Sequence, residues 1–336
     1  MSVVVHIKSK RGFAPLFFLI RGQVPSLRPD NSLFSLQMMI WQTSRFLIDL
    51  TKPKVMGIVN VTPDSFFDGG EHASTKAALK HCEKLVHDGA DILDIGGESS
   101  RPGAAPLALQ EELARVLPVA TEAVKLGVPV SVDTYKPEVM QAVLDLGADI
   151  INDIYALRWR GVDAQAQAGQ ALDSPPAAMQ LLARHPNCGV CIMHMHRDPQ
   201  TMQAAPMEGD VIPNILLFWE QAMHNLRRLG VEKSRILLDP GIGFGKTVKQ
   251  NFALLARQKE LLAAGYPLLV GWSRKSSLAL ATSASLSTIA KLDVRDRLVP
   301  SVAAALLAVE RGASVVRVHD VRETVQVLKV LDAILQ

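Results

Sequence analysis

Eight short apolar runs lie between residues 55 and 320, and nearly every one ends on a polar or ionisable side chain. They are Val55–Val61, Asp91–Ile95, Val128–Thr134, Asp149–Ile154, Gly189–Met195, Arg235–Asp239, Pro267–Ser273 and Ser314–His319. Amphipathic stretches long enough for helices separate them. The runs are rich in Val and Ile and do not alternate strictly, as strands buried on both faces require. Strand and helix alternating eight times over define an α/β chain whose simplest closed form is a single (β/α)8 barrel, the TIM barrel. In that fold the chemistry sits at the C-terminal mouth. Asn60, Asp94, Asp133, Asn152, Asp239, Lys275, Arg317 and His319 stand at or just beyond the run ends and would converge there. The pattern argues for an enzyme.

Punctuation between the runs agrees with this reading. Gly89, Gly127, Gly147, Gly230, Gly265 and Gly312 each follow a helix-periodic stretch, where a left-handed cap is expected. Helical spacing assigns Leu109, Leu113, Val116 and Leu117, and likewise Val139, Val143, Leu144 and Leu146, to the core. Two Gly- and Pro-dense loops, Asn60–Ser74 and Gly96–Leu107, are candidate lids over the mouth. Trp159–Ala177, rich in Gln and Ala, reads as a surface excursion.

A chain of 336 residues has room for more than one domain, yet single barrels run to roughly 250 residues or more. Residues 45–336 therefore read as one barrel domain. Residues 1–44 read as an extension that is poorly ordered or follows a misassigned start, with Met38 or Met39 as the alternative first residue. Within it, Lys8, Lys10 and Arg11 precede the apolar stretch Phe13–Ile20, in the manner of a signal peptide. Pro15 interrupts that stretch, Arg21 ends it, and no A-x-A site follows. It is also shorter than the ~18–20 residues that cross a bilayer, so no membrane partner is expected. Arg45–Leu50 should form a short strand at the barrel bottom. The net charge of +3 is dispersed, which argues against the clustered basic face of a nucleic-acid binder. Three cysteines, an odd number, fit unpaired thiols in a reducing cytoplasm.

Val55-Met56-Gly57-Ile58-Val59-Asn60-Val61-Thr62-Pro63-Asp64-Ser65-Phe66 resembles the first signature of the dihydropteroate synthases, and Asp94-Ile95-Gly96-Gly97-Glu98-Ser99-Ser100-Arg101-Pro102-Gly103 resembles the second. Further matches follow in family order: Ser131–Thr134, Ile151–Asp153, Cys191–Met195, Leu238–Lys246, Gly271–Ser276 and Arg317–Asp320. The resemblance covers residues 51–336. It implies a transferase of folate biosynthesis that condenses 6-hydroxymethyl-7,8-dihydropterin diphosphate with 4-aminobenzoate, with Mg2+ accompanying the diphosphate and a homodimer as the common assembly.

The same resemblance distributes roles. Asp133, Asn152, Asp239 and Lys275 suit the donor and acceptor edge of a reduced pterin, and a buried site of this kind rejects ligands that leave its polar groups unpaired. Met193 falls among the substrate-contacting positions. Asp94 would complement charge developing on the pterin or hold a neighbour in place. Arg317 and His319, two apart on a strand, share a face and would bind the departing diphosphate with Arg101 closing over it. Asn60 would be the metal ligand, since Mg2+ keeps mostly waters and substrate phosphates. Ser100, Pro102, Phe244, Lys275 and Ser276 would form the aminobenzoate pocket. The implied mechanism is dissociative, with electrostatic stabilisation of the leaving group. Singly, each residue also has a structural reading as an ion pair or cap; convergence of all at one mouth argues against that reading.

Ser100 stands where Thr is usual, Phe67 where a small residue is common, and Trp272 and the 159–177 excursion are atypical. Pro240–Thr247 approaches a phosphate-binding loop but has Pro in place of its leading Gly. Cys188-Gly189-Val190-Cys191 has zinc or redox spacing without a second Cys pair. His194 and His196 have the form of a metal pair within what the family treats as a strand end. Two alternatives stay open at this point: a pterin-dependent methyltransferase domain, and a non-catalytic pterin-binding paralogue.

Overall fold

The computed structural model describes residues 39–62, 71–101, 103–161, 174–282 and 294–335. The chain opens with an antiparallel hairpin of β1 (Ile40–Gln42) and β2 (Leu47–Asp49). Eight parallel strands follow: β3 (Lys54–Asn60), β4 (Ile92–Gly96), β5 (Val130–Asp133), β6 (Ile150–Asp153), β7 (Gly189–Met193), β8 (Ile236–Asp239), β9 (Leu269–Val270) and β10 (Val315–Val318). Their order is β8-β7-β6-β5-β4-β3-β10-β9. A parallel bridge from Leu238 to Leu268 carries β8 back to the start of β9, so the sheet closes into a TIM barrel. Every expected run overlaps one of these strands.

The helices are α1 (Glu71–His87), α2 (Leu109–Ala123), α3 (Pro137–Asp145), α4 (Ala177–Arg184), α5 (Val211–Arg228), α6 (Val248–Ala256), α7 (Ser276–Thr282), α8 (Leu298–Glu310) and α9 (Val321–Leu335). All six glycines expected as caps take positive φ, between 73° and 100°. Val139, Val143 and Leu144 are buried as the spacing requires. Leu146 is not: it is the cap residue that follows α3, and it turns outward to 38% exposure. Thr247 closes the front of α6 with a capping box shared with Gln250.

Inside the barrel, Met56, Ile92, Ile150, Cys191, Leu237, Leu269 and Val315 form an apolar layer toward the N-terminal ends of the strands. The hairpin seals it with Trp41, Ile48 and Leu50. Trp41 is fully buried and its indole Nε1–H donates to the carbonyl of Arg235 at 2.9 Å. Arg45 grips the buried Asp149 with Nε and Nη2, at 3.0 and 2.6 Å. The expected bottom strand is thus present as β2, and its partner β1 lies inside the stretch that the sequence boundary at 44/45 gave to the extension. Trp41 escaped the sequence reading because a three-residue strand has no measurable period. The larger core fills the space between the barrel and its helices.

Candidate active site

Strand ends fix the heights of the mouth residues. Asp133 is level with Gly96 on one side and Asn152 on the other, Met193 is level with Asp239, and Arg317 with Met56. From that lower rung the Arg317 side chain reaches two carboxylates. Its Nε donates to Asp94 Oδ2 at 2.6 Å and its Nη2 to Asp133 Oδ2 at 2.8 Å. Asn152 Nδ2 adds a third contact, to Asp94 Oδ2 at 3.2 Å. Asp94 is fully buried, and its Oδ1 has no hydrogen-bond partner among the described residues. One acceptor at the centre of the mouth is therefore open, and leaving such an atom dry and unpaired is costly.

Burial opposes charge on Arg317, but Asp94 and Asp133 outweigh it and hold the guanidinium protonated. Burial pushes the Asp133 carboxyl up, against the downward pull of Arg317. Asp239 is likewise pushed up by burial, opposed by the Gly241 N–H that donates to its Oδ1 at 2.7 Å and by Lys275. Lys275 itself is pushed down to about 8 by burial, with Asp239 resisting. Its Nζ lies 4.4 Å from the centroid of the Phe244 ring, a cation–π contact. Phe244, Met193, Ile154, Met195 and Met202 make an apolar cluster beside these charges, with Tyr135 and Tyr155 packed on it. A flat ring with a polar edge finds both surfaces here.

Ser273 and His319 are coupled across β9 and β10. The His319 backbone N–H donates to Ser273 Oγ at 3.1 Å, and that oxygen lies 3.0 Å from His319 Nδ1. Where that hydroxyl donates to Nδ1, the ring proton stands on Nε2. Burial, then Arg274 and Arg317, push the imidazole down to about 3, so it is neutral at physiological pH. Arg274 pairs bidentately with Asp320, at 3.1 and 2.6 Å, clipping the loop after β9 to that after β10.

Not every expected residue joins this cluster. Asn60 ends β3 at the rim, half-buried. Ser100 is half-buried and Arg101 exposed on the loop after β4. Ser276 opens α7 and is exposed. Pro102, Phe67 and most of the first candidate lid lie outside the described residues, as does most of the 159–177 excursion. The second lid is tied by its Gly103 N–H to the carbonyl of Pro199, at 3.2 Å. Beneath it is a cavity of about 180 Å3 whose walls include Glu98, Ser100, Asp133, Tyr135, Tyr155 and Trp159. Glu98, Tyr135 and Ser273 were missed from sequence; position just past a strand end is the one signal that could have found them.

The phosphate-loop likeness has a different explanation. Lys246 is buried and its ammonium donates to the carbonyls of Gly241 at 2.9 Å and Phe244 at 3.0 Å. It also lies 3.0 Å from His194 Nδ1. The lysine straps its own loop together, and His194 is engaged by that strap. Cys188 and Cys191 are both buried, and burial pushes the Cys188 thiol up to about 12. Among the described residues no group of three or more His, Cys, Asp or Glu side chains is placed to hold a metal ion, and no helix is long and apolar enough to cross a membrane.

Residues 56–319 match the sequence profile of the family described as pterin binding enzyme. The dihydropteroate synthase of Neisseria meningitidis serogroup B is 44% identical over 300 residues, covering 88% of this chain and 97% of that relative. The Xanthomonas albilineans dihydropteroate synthase, solved with 4-aminobenzoic acid, superposes with a TM-score of 0.74 at 42% identity, covering 86% of this chain and 95% of that one. The Burkholderia cenocepacia enzyme, complexed with 7,8-dihydropteroate, gives 0.73 at 42% identity, with 88% and 96% covered.

Proposed function

The chain belongs to the dihydropteroate synthase family, and from that premise we propose how its own residues divide the work. The protein is a transferase of folate biosynthesis that joins 6-hydroxymethyl-7,8-dihydropterin diphosphate to 4-aminobenzoate, releasing diphosphate and forming 7,8-dihydropteroate. The observation that carries the division of roles is the meeting of Asp94, Asp133, Asn152 and Arg317 at one point of the mouth.

Asp133, Asn152 and Asp239 read the hydrogen-bonding edge of the pterin, and Lys275 meets its carbonyl or ring nitrogen. Met193 and Phe244 supply the apolar faces. The open Oδ1 of Asp94 accepts a ring N–H and complements positive charge as the C–O bond breaks. Arg317 uses two donors to fix Asp94 and Asp133 and keeps others for diphosphate oxygens. His319, neutral with its proton on Nε2, donates to the same leaving group without adding charge. Arg101 closes over the diphosphate. Ser100, Pro102, Phe244 and Ser276 line the path of the aminobenzoate, whose neutral arylamine attacks the pterin methylene carbon.

Mg2+ fits this donor set in one way. Asn60 offers a single amide oxygen at the rim, and Mg2+ readily takes one protein oxygen with waters and substrate phosphates completing its shell. Bound there, it would neutralise charge on the diphosphate. We place the protein in the cytoplasm as a homodimer. Three buried, unpaired thiols support a reducing compartment. Exposed Val299, Val330 and Ile334 on α8 and α9 support a partner surface, and sedimentation equilibrium tests it.

The experiment that tests the assignment is diphosphate release by the purified protein with Mg2+ and the pterin diphosphate, with and without 4-aminobenzoate. Release that requires aminobenzoate, with dihydropteroate appearing in step, is the expected result. Tight pterin binding without release would overturn it.

A further inference from the structure

Glu98 is the last residue of the loop after β4 whose side chain is tied to the barrel before the chain turns out to Ser100 and Arg101. We propose that the Glu98–Lys136 ion pair is a positioning device for that loop, setting where Ser100 and Arg101 stand over the mouth and so governing capture of 4-aminobenzoate without touching it. The inference rests on the roles given above to Ser100 and Arg101.

The base of the loop is held at several points. Gly97 lies so close to α2 that an added Cβ would come within 2.7 Å of Val116 Cγ2. The Gly97 carbonyl accepts from Arg115 Nη1 at 2.9 Å. Glu98 then receives the Lys136 ammonium on Oε2 and the Tyr135 hydroxyl on Oε1, the latter at 2.9 Å. Lys136 also pairs with Glu112 of α2, which accepts the Thr134 hydroxyl at 2.6 Å. Lys136 and Glu112 are 5% and 1% exposed.

Beyond Glu98 the pattern changes. Among the described contacts, those of Ser99 to Arg101 stay inside the loop, such as Arg101 N–H to Ser99 Oγ at 3.4 Å. The next tie to the body of the protein is Gly103 N–H to Pro199. The loop is therefore tied at two points, and Glu98 is the near one.

The far end of the same strut belongs to the other substrate. Thr134, Tyr135 and Lys136 follow Asp133 directly, so the backbone carries the strut that holds Glu98 on from the carboxylate assigned to the pterin. A buried ion pair is seldom the most stable filling for such a space, since apolar side chains of similar volume do as well or better. What the pair adds is direction: two fixed oxygens hold Glu98 at one angle.

Glu98→Gln, Tyr135→Phe and Ser100→Ala, with the double variant of Glu98→Gln and Ser100→Ala, test this through separate KM values for the two substrates and thermal melting. Glu98→Gln should raise the KM for 4-aminobenzoate about tenfold while the KM for the pterin diphosphate stays near wild type; the melting temperature should fall somewhat, since the buried Lys136 keeps Glu112 but loses one charged partner. Tyr135→Phe should move it less, in the same direction. The double variant should be little worse than Ser100→Ala alone, because both act through one loop. Unchanged aminobenzoate KM in Glu98→Gln, or both KM values rising together, would overturn the proposal. Should Glu98→Gln fail to fold, an unchanged aminobenzoate KM in Tyr135→Phe would overturn it as well. If Ser100→Ala itself leaves aminobenzoate KM unchanged, the site assignment falls, and the strut falls with it.

Discussion

Arg317 Nε lies 2.6 Å from Asp94 Oδ2, and the two residues come from strands that flank β3 on opposite sides. The same guanidinium reaches Asp133, so one cation holds two carboxylates that would otherwise repel each other. Removing either partner leaves the other members mispaired in a largely buried site.

Asp133→Ala and Lys275→Ala should each abolish turnover while leaving the fold intact. Both side chains sit at the open end of the barrel, away from the layer that Trp41 seals. We expect kcat/KM to fall at least about a thousandfold, as when a transition-state contact is lost. Steady-state kinetics beside far-ultraviolet circular dichroism checks this. Full activity in either variant would remove it from the site.

Lys275 should give the activity an alkaline limb. Burial pushes its ammonium down to about 8, so it is charged below that pH and neutral above it. If the charged form meets the pterin, kcat/KM for the pterin diphosphate should decline above pH 8 with a single titration. Lys275→Arg cannot deprotonate in this range and should lose the limb, at whatever rate it retains. A wild-type profile flat from pH 7 to 9.5 would contradict the assignment.

His319 should make the protein sensitive to acid. Its folded value of about 3 lies below the ordinary value near 6.5, so the unfolded chain binds more protons between the two. Stability is present above pH 6.5 and is lost as pH falls toward 3. His194, pushed down to about 2 by burial and then by Lys246, adds to the same loss. In His319→Gln the slope of melting temperature against pH between 4 and 7 should be shallower than in wild type. Parallel slopes would show that the imidazole is not buried neutral.

The barrel was legible because its signals are periodic or repeated. A strand buried on both faces is a continuous apolar run, and a helix that ends on Gly announces its end, so eight strands and six caps could be read directly. The polar residues of the mouth were legible for a related reason: Asn60, Asp133, Asn152, Asp239 and Arg317 are the last or next-to-last residue of a strand, and His319 is one past the end of β10. Long-range uses of long side chains were not legible. Nothing local tells that Lys246 folds back on its own loop, that Arg235 is buried with its guanidinium on the carbonyls of Cys188, Leu182 and His185, or that Lys136 sits between Glu98 and Glu112. Leu146 failed for the opposite reason, since its spacing fits the helix but its place at the helix end points it outward.

Gly241 is the tightest point of the Lys246 loop. Its φ is +66°, and an added Cβ would stand 1.9 Å from the His194 carbonyl oxygen. The His194 carbonyl just past β7 and the Gly241 backbone are both held by the Lys246 ammonium, so a shift of either strains those contacts. Gly241→Ala should cost more than about 3 kcal/mol, read by urea denaturation. It should also disturb Asp239, whose carboxylate accepts the Gly241 N–H. A loss below about 1 kcal/mol would mean that the loop relaxes freely.

The hairpin is the floor of the barrel. Trp41 is fully buried, closes the lowest layer of the interior and donates to the Arg235 carbonyl. Trp41→Ala should therefore cost about 3–5 kcal/mol through the cavity it leaves, with the mouth residues and the KM values little changed. A chain starting at Met38 keeps the whole hairpin, including the Met39 carbonyl that accepts from Leu50 N–H at 2.7 Å. It should melt and turn over like the full-length protein. If it melted as low as Trp41→Ala, residues before Met38 would be supplying contacts that the hairpin alone does not.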